Sequence, residues 1–286
     1  MNISESFLEW WKNNFQDYSA ALLDIDGTLL LGNDPLPGAD EFIAHLRQNK
    51  FPFVLLTNDS IRSTFEKRVL LRRAGIDISA DEIISCGDAI KYVADKENLV
   101  GKKFLMMGTF GHPNYAEVHG IVITENLSEI DDCEGVIVGE LNYDWEPFIV
   151  SAINFFIRKP SAVLIVPNPD SFWRSGVGNN IHIAAGGVGR FICSILKEYG
   201  IEKEPIYLGK PHNIIYIHTL NFLKKKKIIS EETQNYKIFV LGDSIKSDIW
   251  GAAKMDFTSG LVLTGITTEE SLSSHTIKPN YIFRKI

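Results

Sequence analysis

Residues 20–28 read Ala-Ala-Leu-Leu-Asp-Ile-Asp-Gly-Thr, an apolar run that leads directly into two carboxylates, Asp24 and Asp26. Such a run, bounded by turn residues, predicts a buried strand of a parallel sheet. In open α/β sheets, ligands bind at the carboxyl ends of the strands. Because two carboxylates at one site need a compensating charge, the stretch favours a site for a hard divalent cation such as Mg²⁺. Taken alone, a polar β-turn explains the motif about equally well.

The composition of the 286-residue chain excludes several classes of protein. Its length favours two domains, and its 45% hydrophobic and 23% charged residues are ordinary for a globular protein. The formal net charge of −7 argues against an extended nucleic-acid-binding surface, which needs a basic face. No stretch approaches the ~20 apolar residues of a membrane span. We therefore expect neither nucleic acid nor a membrane as a partner.

The cysteines and the N-terminal sequence predict a cytoplasmic protein. Cys86, Cys133 and Cys193 are far apart and form no CxxC pair, which is typical of free thiols in a reducing compartment. The N-terminal residues show no basic segment followed by an apolar one, so no signal peptide is predicted.

Three later apolar runs also end in small polar or charged residues. They lead into Thr57-Asn58-Asp59-Ser60, into Gly209-Lys210-Pro211, and into Gly242-Asp243 with Asp248 soon after. Taken alone, the first of these is better explained by an ordinary helix cap than by an anion site, and the lysine is better explained by a surface turn. Helices are predicted between such runs, at 4–16, 39–48, 63–74, 146–156 and 248–255, and the GGVG segment at 186–189 is interpreted as a loop and helix start. This alternation predicts an α/β fold with a doubly wound parallel sheet.

Four segments, DIDGT, TN, GKP and GDSIKSD, each follow an apolar run and together resemble the four motifs of the haloacid dehalogenase superfamily of phosphotransferases. The second motif as TNDS, the long insert before GKP, and NPD at 168–170 narrow the resemblance to class IIA, the branch of NagD and the p-nitrophenylphosphatase-like proteins. The resemblance covers nearly the whole chain. It implies a Rossmann-like core at 1–85 and 204–286, interrupted by an α/β cap domain at 86–203.

The resemblance also implies an activity, a Mg²⁺-dependent phosphatase that hydrolyses small-molecule phosphate monoesters through an aspartyl-phosphate. Asp24 would be the nucleophile, and Asp26 would act as general acid and then as general base. Thr57, Asn58 and Lys210 would bind the phosphate group. The implied metal ligands are Asp24, Asp26 through its carbonyl, Asp243 and Asp248. Asn168 and Asp170 would contact the substrate from the cap, although an Asx-Pro turn explains them equally well.

Some points stay open at this stage. Asp59 stands where the family commonly has asparagine, and its charge would alter substrate preference if it points into the site. A phosphotransferase or mutase of the same superfamily is an alternative, as is a non-catalytic phosphate-binding regulatory protein. Members often dimerise through the cap, so a homodimer is considered, although no residue of this chain indicates it. Sugar phosphates, nucleotides, phosphoglycolate and pyridoxal phosphate share the same phosphate chemistry, and the sequence does not choose among them.

Overall fold

A computed structural model describes residues 3–174 and 180–286. The chain forms two compact units. The first comprises Met1–Thr57, Thr64–Ile84 and Thr219–Ile286, and the second comprises Asn58–Ser63 and Ser85–His218. Within the described residues, no helix combines the length and the apolar composition that crossing a membrane requires.

The helices and strands alternate along most of the chain. The N-terminal part contains β1 (Ile3–Ser6), α1 (Phe7–Asn14), β2 (Ala20–Leu23), β3 (Leu30–Leu31), β4 (Asp34–Pro35), α2 (Ala39–Gln48), β5 (Phe53–Thr57), α3 (Thr64–Arg73) and β6 (Ile83–Ser85). The middle part contains α4 (Ile90–Lys96), β7 (Lys103–Met107), α5 (Tyr115–Val118), β8 (Val122–Thr124), β9 (Gly135–Val138), α6 (Trp145–Arg158), β10 (Val163–Val166), β11 (Phe172–Arg174), β12 (Ile181–Ile183), α7 (Ala185–Glu198) and β13 (Ile206–Tyr207). The C-terminal part contains α8 (Asn213–Lys225), β14 (Ile238–Gly242), α9 (Trp250–Lys254), β15 (Thr258–Val262) and β16 (Tyr281–Lys285).

The first unit is built on a seven-stranded sheet with the order β1-β16-β15-β14-β2-β5-β6. The pairs from β1 to β5 in this order are all parallel. Every residue of β2, β5 and β14 is buried, as expected for strands of a parallel sheet with both faces covered. The predicted α/β fold is therefore confirmed. Since β2 lies between β14 and β5, the carboxyl ends of these three strands meet at one edge of the sheet.

The N-terminal helix is shorter than predicted from the sequence. Helix α1 begins at Phe7. Its N-cap is Ser6, whose hydroxyl accepts a hydrogen bond from the Glu9 N–H at 3.3 Å. The residues before it form the edge strand β1, which pairs with β16. Local periodicity does not reveal this partner. The helices predicted at 39–48, 63–74 and 146–156 form nearly at their predicted bounds, as α2, α3 and α6.

The second unit has its own parallel sheet of five strands, in the order β13-β10-β9-β7-β8. Its core is formed by the apolar residues of these strands and of α6 and α7. The GGVG segment lies inside the first turns of α7, which begins at Ala185. An inserted cap with bounds 86–203 remains a prediction.

Candidate active site

The turn after β2 holds Asp24 at the carboxyl edge of the first sheet. The Asp24 N–H donates a hydrogen bond to the carbonyl of Leu241 in β14 at 2.9 Å, so the strand pairing continues to this residue. The next residues fold back at once, because the Ile25 carbonyl accepts hydrogen bonds from Leu29 and Leu30 at 2.8 and 2.9 Å. The Thr28 hydroxyl lies 3.5 Å from Asp24 Oδ2 and can donate to it. This turn fixes the carboxylate of Asp24 at the strand end.

Three of the predicted acidic residues come together in the first unit. One carboxylate oxygen from each of Asp24, Asp243 and Asp248 lies within 4.8 Å of the other two. All three residues are buried, with 8%, 5% and 1% of their surfaces exposed. Buried like charges this close repel one another and lose hydration, unless a cation compensates them. Because the donors are oxygens only, the cluster fits a hard cation such as Mg²⁺.

Asp243 follows β14 and is enclosed by two glycines. Its Oδ2 accepts a hydrogen bond from the Ile266 N–H in the loop after β15. A Cβ atom would lie 1.9 Å from this oxygen at Gly265 and 2.4 Å from it at Gly27. Gly27 also has a φ of +85°, which disfavours other residues. The glycines of both turns are therefore needed for the carboxylate to reach the cluster.

Asp248 lies on a π-helical turn, Ile245–Ile249, that precedes α9. The helix predicted at 248–255 thus begins earlier and in a different form. The turn is capped by Ser244, whose hydroxyl accepts from the Ser247 N–H at 3.2 Å. The Ser244 N–H in turn donates to Asp248 Oδ2 at 3.1 Å. Such turns are frequent at functional sites, and this one directs Asp248 back toward the end of β14.

Asp26 and Thr57 lie at the same edge of the first sheet. Asp26 is exposed and lies outside the three-carboxylate cluster; its backbone forms a bridge with Leu30. Thr57 ends β5 and is 2% exposed. Because Leu55 pairs with Leu23 of β2, Thr57 is placed beside the turn that holds Asp24.

Asn58 and Lys210 are joined within the second unit by a pair of hydrogen bonds. The Lys210 N–H donates to Asn58 Oδ1 at 2.8 Å, and Asn58 Nδ2 donates to the Lys210 carbonyl at 2.9 Å. Both residues are buried. The sequence predicted a phosphate contact for the backbone of Asn58 but not this role for its side chain, which fixes the backbone of the lysine on both sides.

The NPD segment contacts one member of this pair, Asn58. Asp170 Oδ2 accepts a hydrogen bond from Asn58 Nδ2 at 3.1 Å. The Asp170 N–H donates to Asn168 Oδ1 at 2.9 Å, which is the Asx turn considered as the alternative. Asp170 is thus connected to Lys210 through Asn58.

The carboxylate of Asp59 contacts residues of the turn that follows it. Its Oδ1 accepts hydrogen bonds from the N–H groups of Ile61 and Arg62 at 2.8 and 3.3 Å. Its Oδ2 lies 3.3 Å from a guanidinium nitrogen of Arg62. This carboxylate therefore stabilises the turn that follows the TN motif.

Two family models match the chain at the segments that carry these residues. The model described as haloacid dehalogenase-like hydrolase matches residues 21–122, and a second model for HAD-like hydrolases matches residues 207–286. The chain belongs to the haloacid dehalogenase superfamily. The first match contains Asp24, Asp26 and Thr57, and the second contains Lys210, Asp243 and Asp248.

Full-length relatives in this superfamily place the protein in the NagD-like branch. The acid sugar phosphatase of Staphylococcus saprophyticus is 25% identical, over 95% of this chain and 96% of the relative. The ribonucleotide monophosphatase NagD of Escherichia coli is 27% identical, over 93% and 95% of the two chains. A solved structure from Cytophaga hutchinsonii, described as a possible sugar phosphatase of the HAD superfamily, is 26% identical with a TM-score of 0.79, over 100% of this chain and 98% of the other.

This member of the haloacid dehalogenase superfamily has a further buried acid that sequence reasoning missed. Glu140 follows β9 of the second sheet and is 2% exposed. Its Oε1 accepts a hydrogen bond from Asn168 Nδ2 at 2.8 Å. Its Oε2 is buried and makes no hydrogen bond of good geometry among the residues that the structure describes. The available signal was its place directly after an apolar strand.

Burial raises the pKa of Glu140 from its ordinary value of 4.5 to about 7. The hydrogen bond from Asn168 and a weaker interaction with the Ala185 N–H lower the pKa, while the negative charges of Asp59 and Asp170 raise it. Tyr143 faces the same group, and burial with the Glu140 charge raises the pKa of its phenol to about 12. Glu140 therefore titrates close to neutral pH.

The pKa of Glu140 predicts a pH-dependent difference in stability between the wild type and a Glu140→Gln variant. Between about pH 4.5 and 7 the folded state keeps a proton that the unfolded state loses, so stability falls as the pH rises through this window. The full loss is on the order of 3 kcal/mol above pH 7. Glutamine removes the titrating group, so the variant should gain stability relative to the wild type as the pH rises.

Urea unfolding across this pH range measures the difference. Glu134→Gln makes the same chemical change at the exposed, opposite end of β9 and is the control. If the difference in unfolding free energy between wild type and Glu140→Gln stayed constant with pH, the pKa of Glu140 in the folded protein would be the ordinary one.

Proposed function

We propose that the protein is a Mg²⁺-dependent phosphatase that releases inorganic phosphate from small-molecule phosphate monoesters. The observation that carries the proposal is the buried cluster of Asp24, Asp243 and Asp248 at the carboxyl ends of β2 and β14. Its relatives are named as sugar and ribonucleotide phosphatases, and metabolites of this size are the substrate class that we propose.

The metal would be held by Asp24, Asp243, Asp248 and the carbonyl of Asp26. When bound, it would supply the positive charge that allows a carboxylate to approach a phosphate dianion. We assign Mg²⁺ because a cluster of oxygen donors favours it.

The reaction would proceed in two displacements. A carboxylate oxygen of Asp24 forms a bond to phosphorus as the ester P–O bond breaks, and Asp26 protonates the departing alkoxide. Asp26 then takes a proton from a water molecule, whose oxygen attacks phosphorus and releases Asp24 with inorganic phosphate. Dividing the reaction in this way matters because uncatalysed hydrolysis of phosphate monoesters is among the slowest reactions that enzymes accelerate.

Binding of the phosphate group is proposed for Thr57, the Asn58 N–H and Lys210. The Lys210 ammonium group would offset charge on the phosphate oxygens. Asn168 and Asp170 would select the substrate from the cap, for which we keep the bounds 86–203 within a core of 1–85 and 204–286. A homodimer formed through the cap and a cytoplasmic location also remain proposals.

An assay with p-nitrophenyl phosphate tests the function. We expect equal amounts of nitrophenol and phosphate in the presence of Mg²⁺, and neither product when EDTA removes the metal. Adding alcohol acceptors distinguishes the alternative, since a phosphotransferase would transfer the phosphoryl group and release little free phosphate. Absence of turnover with p-nitrophenyl phosphate and with a panel of phosphorylated metabolites would contradict the proposal.

A further inference from the structure

A continuous chain of hydrogen bonds within the second unit links Glu140 to Lys210. Glu140 accepts from the side-chain amide of Asn168 at 2.8 Å, and Asn168 accepts from the Asp170 N–H at 2.9 Å. The Asp170 carboxylate accepts from the side-chain amide of Asn58 at 3.1 Å. Asn58 then bonds both backbone polar groups of Lys210, at 2.8 and 2.9 Å. The chain therefore begins at an acid after β9 and ends at the lysine of the GKP motif.

The segments that carry this chain approach one another closely at two glycines. A Cβ atom at Gly209 would lie 2.4 Å from Asn58 Oδ1 and 2.7 Å from the ring of Pro169. A Cβ atom at Gly186 would lie 2.1 Å from the Pro169 carbonyl. Since close-packed segments transmit small shifts instead of absorbing them, a change at Asn168 should reach Asn58.

Packing alone does not explain a glutamate at this position. A buried carboxyl group destabilises the fold in its ionised form, and an apolar residue of similar volume would avoid this cost. Buried groups that lower the stability of the fold are expected at functional sites, where a gain in function offsets the lost stability. At Glu140 the gain is the orientation of Asn168, whose side-chain amide donates to the carboxyl group.

We infer that Glu140 is a positioning residue that holds Asn168 and, through Asp170 and Asn58, fixes the backbone of Lys210. The effect on turnover rests on the proposed function, in which the Lys210 ammonium group acts on the phosphate. The effect on the hydrogen-bond chain does not depend on it.

The test compares three variants of the full chain. Glu140→Leu removes the acceptor for Asn168, Glu140→Gln keeps an acceptor oxygen without the charge, and Glu134→Gln is the matched control at the other end of β9. With selective ¹⁵N labelling of lysine and asparagine, we expect Glu140→Leu to shift the resonances of the Lys210 N–H and the Asn58 side-chain amide. Glu140→Gln should shift them less, and Glu134→Gln should leave them in place.

Kinetics with p-nitrophenyl phosphate give the second measurement. Glu140→Leu should lower kcat about tenfold, the order of the net free energy of one hydrogen bond, with KM changed much less. Glu140→Gln should recover most of this loss. Asn168→Ala breaks the next link, so it should lower kcat similarly and add little when combined with Glu140→Leu. This variant also keeps the test open if Glu140→Leu does not fold.

Two results would overturn the inference. One is that Lys210 and Asn58 resonances stay in place in folded Glu140→Leu and in Asn168→Ala. The other is a loss of kcat that disappears once the folded fraction of the variant is taken into account. A wild type that releases no phosphate contradicts the proposed function instead, and the resonances alone then decide the inference.

Discussion

Replacing Asp24 with asparagine is expected to lower the rate of phosphate release on the order of 10⁶-fold, as for the loss of a nucleophile. Asparagine has nearly the same shape and can keep the contact with the Thr28 hydroxyl, so the fold should persist. An amide oxygen is a much weaker nucleophile than a carboxylate and cannot form the aspartyl-phosphate. Steady-state kinetics with p-nitrophenyl phosphate at saturating Mg²⁺ measure the effect.

The matched control is Asp34→Asn, which makes the same change at an exposed position of β4 in the same unit. It should retain wild-type kinetics. Mass spectrometry of the acid-quenched reaction adds a direct observation, since a phosphoryl adduct should form on the wild type and not on Asp24→Asn. Wild-type turnover by Asp24→Asn would exclude Asp24 as the nucleophile.

Replacing Asp243 with asparagine should have the second largest effect, because it removes one of three charges from the acidic cluster. In the absence of divalent ions the variant should be more stable than the wild type, since one repulsive charge is gone. Added Mg²⁺ should reverse the order. At about 100 times its Kd, it should stabilise the wild type by about 2.7 kcal/mol, and the variant much less.

Thermal unfolding with and without Mg²⁺ measures this reversal independently of activity. We expect turnover of Asp243→Asn to fall at least about 10²-fold, since even the outer partners of metal ligands cost 10- to 100-fold when removed. Asp34→Asn should respond to Mg²⁺ as the wild type does. If Mg²⁺ stabilised the wild type and Asp243→Asn equally, the cluster would not be the metal site.

The acidic cluster could be predicted because each of its residues lies in or next to a recognisable short motif of the sequence. Asp24 and Asp243 each end an apolar run, and in a parallel sheet such runs bring their carboxyl ends to one edge. Asp248 follows at a short, fixed distance along the chain. The π-helical turn that carries it was not predictable, since its pattern of residues is that of an ordinary helix start.

Glu140 and Asp59 show what one sequence does not contain. Glu140 follows a strand in the sequence like an ordinary acidic turn residue, and its hydrogen-bond partner Asn168 lies 28 residues later in the chain. The direction of Asp59 depends on the turn formed by the next three residues. Strand β1 depends on β16 at the opposite end of the chain. In each case the conformation depends on a contact that forms only in the folded chain, and the residue types alone do not specify that contact.

The order of segments in the first sheet has a consequence for how the protein is made. Strand β14 pairs with β2 but leaves the ribosome only after the whole second unit, whose main segment is continuous from Ser85 to His218. That unit can fold first during synthesis, while one side of β2 waits for its neighbour. Because Asp243 and Asp248 arrive with the late segment, the acidic cluster is assembled last, and a nascent chain that lacks this segment holds only one of its three carboxylates.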